Sequence, residues 1–385
     1  MPKLSKQRGV GLAFRLRTMG DRVLDHQWSF AEQAHSHPTS PEARAALLAN
    51  PGFGRVFTDH MVTVQWTEGH GWHDAVLGER KPFMLDPATL VLHYAQEIFE
   101  GMKAYRTSNG GVVLFRPEEN ARRFNKSAER MGMATIPEEL FVGAVEALVR
   151  ADADWVPSGE GSLYLRPFAF ATDVFLGVKP SSSYTFCVIA SPVGGYFKPG
   201  VSALTIWVAD GYTRAAVGGT GFAKCGGNYA GGLAAQAQAS ANDCDQVVFL
   251  DAAEHRWIEE LGGMNLFFVM ADGTLRTPPL SGTILPGVTR ASVIQLARDA
   301  GHTVNEAPYS FEEWKSDAES GRMREAFACG TAAVIAAIGK VRHGGGEFLI
   351  ADGKPGQLTE QLLSKLTGIQ RGQVNDEHGW VHRVV

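Results

Sequence analysis

Val217-Gly-Gly-Thr-Gly-Phe-Ala-Lys-Cys-Gly-Gly-Asn-Tyr-Ala-Gly-Gly232 is the stretch on which the reading of this chain turns. Seven of its sixteen residues are glycine, and Lys224 is its only charged residue. Glycine at that density lets backbone take left-handed angles and lie close against a ligand. A lysine among small residues is easily stripped of water, which favours the neutral amine that attacks carbonyl carbon. The spacing is not that of a phosphate-cradling P-loop, because G-x-x-x-x-G-K-[ST] is absent. Leu204 to Ala209 reads as a strand before it and Tyr229 to Asn242 as a small-residue helix after it. The lysine is therefore expected at a strand-to-helix junction.

Outward from this stretch, the chain has 385 residues, which predicts about two domains at ~100–200 residues each. Glycine numbers 44, and eleven of these lie between Gly194 and Gly232. The surplus is local and not that of a fibre or linker. Met61 to Trp66 alternates like a half-buried strand. Leu90 to His93, Val112 to Phe115, Ser162 to Phe170 and Tyr184 to Ser191 read as further strands. Pro117 with Glu118 and Glu119 opens a helix, and Glu138 to Ala151 is a second. Pro192 to Gly200, with three glycines and two prolines, is a loop. The expected organisation is an extension over 1–52, a small domain over 53–192, an interdomain loop over 193–203 and a large domain over 204–385. Strands and helices in both halves place the fold in the α/β (α+β) class.

The balance of 36 Lys+Arg against 41 Asp+Glu argues against a nucleic-acid protein. No apolar run approaches the ~20 residues of a membrane span. Four scattered cysteines, with no C-x-x-C pair, indicate a reducing compartment and no structural zinc or other metal site. A cytoplasmic location is expected. The basic start, from Lys3 to Arg17 with no acid before Asp21, leaves a mitochondrial presequence as the alternative.

The Lys224 stretch resembles the cofactor-lysine segment of branched-chain amino-acid aminotransferases, a pyridoxal-phosphate family of fold type IV. Further motifs follow in the family's order. They are Phe53-Gly54 with Phe57-Thr-Asp-His-Met61, Leu92-His-Tyr-Ala-Gln-Glu-Ile-Phe-Glu-Gly-Met-Lys-Ala-Tyr-Arg106, Leu114-Phe-Arg-Pro-Glu-Glu-Asn-Ala-Arg-Arg123, Ser162-Leu-Tyr-Leu-Arg-Pro167, Glu259-Glu-Leu-Gly-Gly-Met-Asn265, Gly282-Thr-Ile-Leu-Pro-Gly-Val-Thr-Arg290 and Cys329-Gly-Thr-Ala332. The similarity spans residues 53–385 and implies two domains, with a barrel-like sheet in the larger and the cofactor between them.

The resemblance also implies roles. Lys224 would bind pyridoxal 5′-phosphate covalently and shuttle the substrate's α-proton. Glu260 would face the pyridine nitrogen and keep it protonated. Its neighbour Glu259 is expected on the opposite face of the strand. Tyr229 matches the phenol at the cofactor's 3′ oxygen. Arg123, Val288, Thr289 and Thr331 match phosphate donors, the middle two at a helix N-terminus. The backbone of Thr331 and Ala332 matches the site of the α-carboxylate. Phe53, Tyr94, Phe99, Tyr164 and Tyr196 match pocket-lining positions suited to Val, Leu and Ile side chains. Arg166 matches the guanidinium that accepts the γ-carboxylate of glutamate or 2-oxoglutarate. Tyr94 and Val178 resemble residues given to a neighbouring subunit, which implies a homodimer. The partners are otherwise small amino acids and 2-oxo acids, exchanging an amino group by a ping-pong route.

Two departures stand out. Gly263 replaces a threonine found in many relatives and removes one hydroxyl. Ala332-Ala333 replaces the redox-cysteine region of some vertebrate members, so thiol regulation of that kind is not expected. A D-amino-acid aminotransferase or aminodeoxychorismate lyase is the rival on the same fold. Tyr164-x-Arg166 and Phe99-Glu-Gly-Met speak against both. A catalytically silent relative is the rival of another class, and intact Lys224, Glu260, Tyr229 and Arg123 speak against that.

Overall fold

The alternation of Met61 to Trp66 builds an inner strand of the first of two sheets. The structure is a computed structural model that describes residues 28–194, 202–209 and 211–385. The basic residues before Asp21 and Tyr196 therefore lie outside the described residues.

In chain order the first part contains β1 (Ala31–Glu32), α1 (Pro41–Ala49), β2 (His60–Thr67), β3 (Gly71–Glu79), α2 (Leu90–Tyr94), β4 (Glu97–Phe99), β5 (Met102–Arg106), β6 (Val112–Phe115), α3 (Pro117–Arg130), α4 (Glu138–Ala151), β7 (Ser162–Ala171) and β8 (Ser183–Val193). There follow β9 (Leu204–Val208), α5 (Gly226–Gly231), α6 (Leu233–Ala241), β10 (Gln246–Leu250), β11 (Ile258–Leu261), β12 (Asn265–Met270), β13 (Leu275–Thr277), α7 (Val288–Asp299), β14 (Val304–Glu306), α8 (Phe311–Ser320), β15 (Met323–Gly330), β16 (Val334–His343), β17 (Gly346–Leu349), α9 (Gln357–Gln370) and β18 (Val381–Arg383). This is a mixed α/β fold.

The first sheet runs β1-β3-β2-β8-β7-β5-β6-β18, with β4 beside β7. The second runs β11-β10-β9-β16-β15-β12-β13-β14, with β17 on β16. In the second sheet β9 is parallel to both β10 and β16, while β15 is antiparallel to both β12 and β16. The change of sheet falls between Val193 and Leu204, but the chain returns at its end. β18 pairs antiparallel with β6, with Val381 opposite Phe115.

Helices α3 and α4 cover the first sheet through Phe124, Phe141 and Phe186, whose ring centroids lie 5.3 to 5.7 Å apart. All three are buried, and each contributes about 1.5–3 kcal/mol by leaving water. Phe268, Tyr309 and Trp314 form the matching aromatic centre in the second sheet's core. The sheet's other face packs α7 and α9 over Phe267 and Phe327, which stack at 5.1 Å.

Two local expectations are corrected. Leu90 to His93 is part of helix α2, not a strand. The Thr89 N–H and hydroxyl both donate to the Asp86 carbonyl and turn the chain into the helix, and Ala95 in the left-handed region ends it after little more than one turn. A short apolar run has no periodicity by which to separate the two states. The strand of this motif is β4. The helix expected from Tyr229 to Asn242 starts earlier, at Gly226, and is interrupted at Gly232 between α5 and α6.

The returning strand is clamped by charge. His382 engages Glu146 through Nε2 at 2.5 Å and Glu118 through Nδ1 at 3.3 Å. Hydrogen bonds to Glu118 and Glu146 raise the His382 pKa to about 9. A raised histidine stabilises the fold fully below its unfolded value near 6.5, and the contribution fades as pH rises through about 9. His382→Asn is therefore expected to lower the melting temperature most near pH ~6 and least above pH ~9.5. A deficit that grows with pH would contradict this clamp.

Candidate active site

The glycine-rich stretch delivers Lys224 to a cleft between the sheets. The Lys224 backbone N–H donates to Ser127 Oγ on α3 at 2.9 Å, and its carbonyl accepts from Phe99 N–H at 2.9 Å. Two segments of the first sheet's half thus fix a lysine that belongs to the second. Its Nζ donates to the Tyr229 hydroxyl at 2.7 Å and lies 4.7 Å from the centre of the Phe99 ring.

Glu260 lies on β11 and is buried to 2% exposure. Its Oε1 accepts from Leu285 N–H at 2.9 Å and lies 3.0 Å from Arg214 Nη1. Its Oε2 accepts from Asn265 Nδ2 at 3.0 Å. Burial raises its pKa to about 7, against the opposing pull of Arg214. Glu259, the neighbour on the same strand, is buried as well and accepts from Thr283 Oγ1 at 2.5 Å.

Arg123, on α3, is gripped from behind. Its Nε and Nη2 donate to the two oxygens of Glu100 at 2.7 and 2.8 Å. Asn120 Nδ2 donates to the same carboxylate at 2.7 Å. Burial pushes the Glu100 carboxyl up, but Arg123 outweighs it and holds it below the ordinary glutamate value. The remaining nitrogen, Nη1, donates to the Pro286 carbonyl at 3.2 Å, beside the start of α7. There Gly287 is the N-cap, and a Cβ on it would collide with the Asn265 side chain. The free N–H groups of α7's first turn, at Val288 and Thr289, line the same cleft.

The opposite wall is aromatic. Arg166 stacks over Phe99 at 4.7 Å and Tyr164 at 5.5 Å, and its buried Nε has no hydrogen-bond partner. A Cβ on Gly101 would collide with the Tyr164 hydroxyl, so glycine there makes room for the ring. Gly263 lines the cleft too, and a Cβ on it would meet nothing closer than Tyr229 Cε1 at 3.9 Å.

One cleft therefore gathers Lys224, Arg123, Tyr229, Glu260, Val288, Thr289, Thr331, Ala332, Phe99, Tyr164 and Arg166. Thr331 spends its hydroxyl proton on the Gly101 carbonyl at 3.0 Å, so only its backbone faces a ligand as donor. Phe53 stands at the rim, its ring 5.3 Å from Tyr164. Tyr94 and Val178 are not in the cleft of this chain. They are exposed on an outer face, where the Tyr94 hydroxyl donates to the Leu176 carbonyl. Sequence reasoning assigns nothing to Glu100, Arg214 or Asn265. Glu100 and Asn265 fall within the motifs given above, and for Glu100 a charge between the apolar Phe99 and Met102 is the available signal.

The donor set suits a planar anionic carbonyl compound. An amine stands at one point of the cleft, a buried carboxylate at another, and a guanidinium with helix N–H groups at a third.

Residues 97–341 match the family described as amino-transferase class IV. A probable branched-chain-amino-acid aminotransferase of Streptomyces coelicolor is 55% identical over 349 residues, covering 90% of this chain and 96% of that protein. The crystal structure of the Escherichia coli branched-chain amino acid aminotransferase superposes with a TM-score of 0.68 at 27% identity, over 84% of this chain and 99% of that one. The branched-chain aminotransferase of the archaeon Thermoproteus uzoniensis, solved with norvaline, gives 0.68 at 26% identity, over 84% of this chain and 100% of that one.

The Glu100–Arg123 pair is buried on both sides. Removing one partner of such a pair leaves the other charge uncompensated and costs about 3–5 kcal/mol. Glu100→Gln is expected to destabilise the cofactor-free protein by about that amount in urea unfolding. A loss under ~1 kcal/mol would show that solvent reaches Arg123.

Proposed function

The chain belongs to the amino-transferase class IV family, and on that premise we propose that it exchanges the amino group of L-leucine, L-isoleucine and L-valine with 2-oxoglutarate. The products are branched-chain 2-oxo acids and L-glutamate, formed by a ping-pong route with pyridoxal 5′-phosphate. The observation that carries this reading is Arg166. Its guanidinium, with an unpartnered Nε, is set in an aromatic wall beside Lys224. Such a wall serves one substrate with an apolar side chain and another with a γ-carboxylate.

The residues that would hold the cofactor are Lys224 by a covalent bond, Glu260 at the ring nitrogen, Tyr229 at the 3′ oxygen, and Arg123 with the N–H groups of Val288 and Thr289 at the phosphate. Bound there, the cofactor supplies the carbonyl that exchanges the amino group and a ring that takes up the electrons released at Cα. Lys224 Nζ then serves as the base that takes the proton from Cα and returns it. Arg214, Leu285 N–H and Asn265 favour the ionised form of Glu260 against its burial. The backbone N–H groups of Thr331 and Ala332 receive the α-carboxylate. Phe99, Tyr164 and, from the rim, Phe53 exclude water from the side chain.

A homodimer fits this scheme. Met84 and Val178 are 98% and 83% exposed, beside exposed Leu92, Tyr94, Val174, Phe175 and Leu176. The segments before and after helix α2 are joined by the Phe175 N–H bond to the Ala88 carbonyl at 3.1 Å. An apolar face of this kind marks an interface. On it Tyr94 and Val178 stand ready for the neighbouring subunit's pocket. Four free, buried cysteines suit a reducing, cytoplasmic setting.

Lys224→Ala is expected to lower kcat for L-leucine with 2-oxoglutarate by about 10²–10⁴-fold or more. Wild-type protein that gives no glutamate from any of the three amino acids, while acting on D-alanine or aminodeoxychorismate, would replace this reading with a rival on the same fold. Arg166→Met is expected to raise KM for 2-oxoglutarate by roughly 10–100-fold and to leave KM for L-leucine within about threefold. Equal effects on both substrates would contradict the role given to Arg166.

A further inference from the structure

The scheme above gives no part to Lys103. This residue lies on β5, paired in register with Tyr164 of β7, so both side chains leave the sheet on one face. It is only 8% exposed. Its Nζ donates to the Ala332 carbonyl at 2.7 Å. Among the described residues no carboxylate pairs with it.

Arg371 shares the cavity with Lys103, spends its guanidinium on the carbonyls of Gly159, Glu160 and Gly161 and, among the described residues, likewise has no carboxylate partner. Burial first, then Arg371, brings the Lys103 pKa down to about 8, so it is still mainly charged at neutral pH. A buried ammonium held by one carbonyl is costly unless an anion comes close.

Lys103 is fastened to a turn that borders the cleft of Lys224. Ala332 lines both the cleft of Lys224 and the adjoining cavity that holds Lys103 and Arg371. The turn between β15 and β16 is strapped to the first sheet at two points: Thr331 Oγ1 to the Gly101 carbonyl and Lys103 Nζ to the Ala332 carbonyl. We propose that Lys103 is a positioning residue for the substrate α-carboxylate, holding the Thr331–Ala332 turn in place and supplying the charge which that carboxylate balances. This rests on the α-carboxylate placement proposed above. Both substrates carry that group, so Lys103 serves them alike, whereas Arg166 distinguishes them.

The test is binding of 4-methylvaleric acid, the leucine skeleton without its amine, and of the corresponding primary amide, to the holoenzyme at pH ~7. A titration of cofactor absorbance reads both. In Lys103→Met the acid is expected to bind at least ~10-fold more weakly and the amide to stay within about twofold. Lys103→Arg is expected to keep the acid within about threefold, because the charge remains. KM for L-leucine and for 2-oxoglutarate should rise in Lys103→Met by the same factor, leaving their ratio unchanged. Acid binding within about twofold of wild type in Lys103→Met, or equal losses for acid and amide, would overturn the proposal. Wild-type protein that binds the acid no better than the amide would overturn the carboxylate placement with it. Wild-type protein that binds the acid but does not transaminate L-leucine would overturn the proposed function alone, since the binding ratio still decides Lys103. If Lys103→Met does not fold, Lys103→Gln replaces it in the same comparison.

Discussion

The bidentate pair between Glu100 and Arg123 is the constraint on which the site depends. Both groups are out of water, and neither is tolerable there alone. Once paired, they lock the segment Phe99-Glu100-Gly101 onto α3. That segment then does three further things. Phe99 N–H holds the Lys224 carbonyl, the Phe99 ring faces the Lys224 amine, and the Gly101 carbonyl accepts from Thr331. Lys224, Arg123 and the Thr331–Ala332 turn take their positions from one tripeptide.

The second sheet answers with its own buried ionic contact. Arg214 Nη1 reaches Glu260 and also the carbonyls of Gly221 and Thr283, at 3.1 and 2.8 Å. Gly221 belongs to the lysine stretch, and Thr283 begins the segment that donates Leu285 N–H to Glu260. The same guanidinium thus ties the loop that carries Lys224 to Glu260. The two sheets meet across the cleft, each bringing a charge that is already compensated from behind. Both charges are thereby held in fixed positions, with little reorganisation required when a ligand arrives.

The parts legible in the sequence are those whose signal is local. Alternation reveals β2, and proline with acids reveals the start of α3. The motifs around Lys224, Glu260, Arg123 and Arg166 name groups that the fold does bring into one cleft. Leu90 to His93 reads wrongly as a strand because so short an apolar run carries no period. Glu259 reads as lying on the opposite face of the strand from Glu260, and both are buried because the strand is covered on both faces. Tyr94 and Val178 lie away from the cleft of their own chain. What stays hidden are pairings made across the fold. Lys103 and Ala332 are 229 residues apart, and nothing in either motif alone announces the other.

On the function proposed above, Lys224 and its surroundings exchange one amino group at a time between a branched-chain amino acid and a 2-oxo acid. The most direct measurement is a single-turnover reaction of the holoenzyme with L-leucine in the absence of any 2-oxo acid, with quantification of 4-methyl-2-oxopentanoate. About one equivalent per Lys224 is expected, with further product only after 2-oxoglutarate is added. No product, or continued turnover without an acceptor, would contradict it.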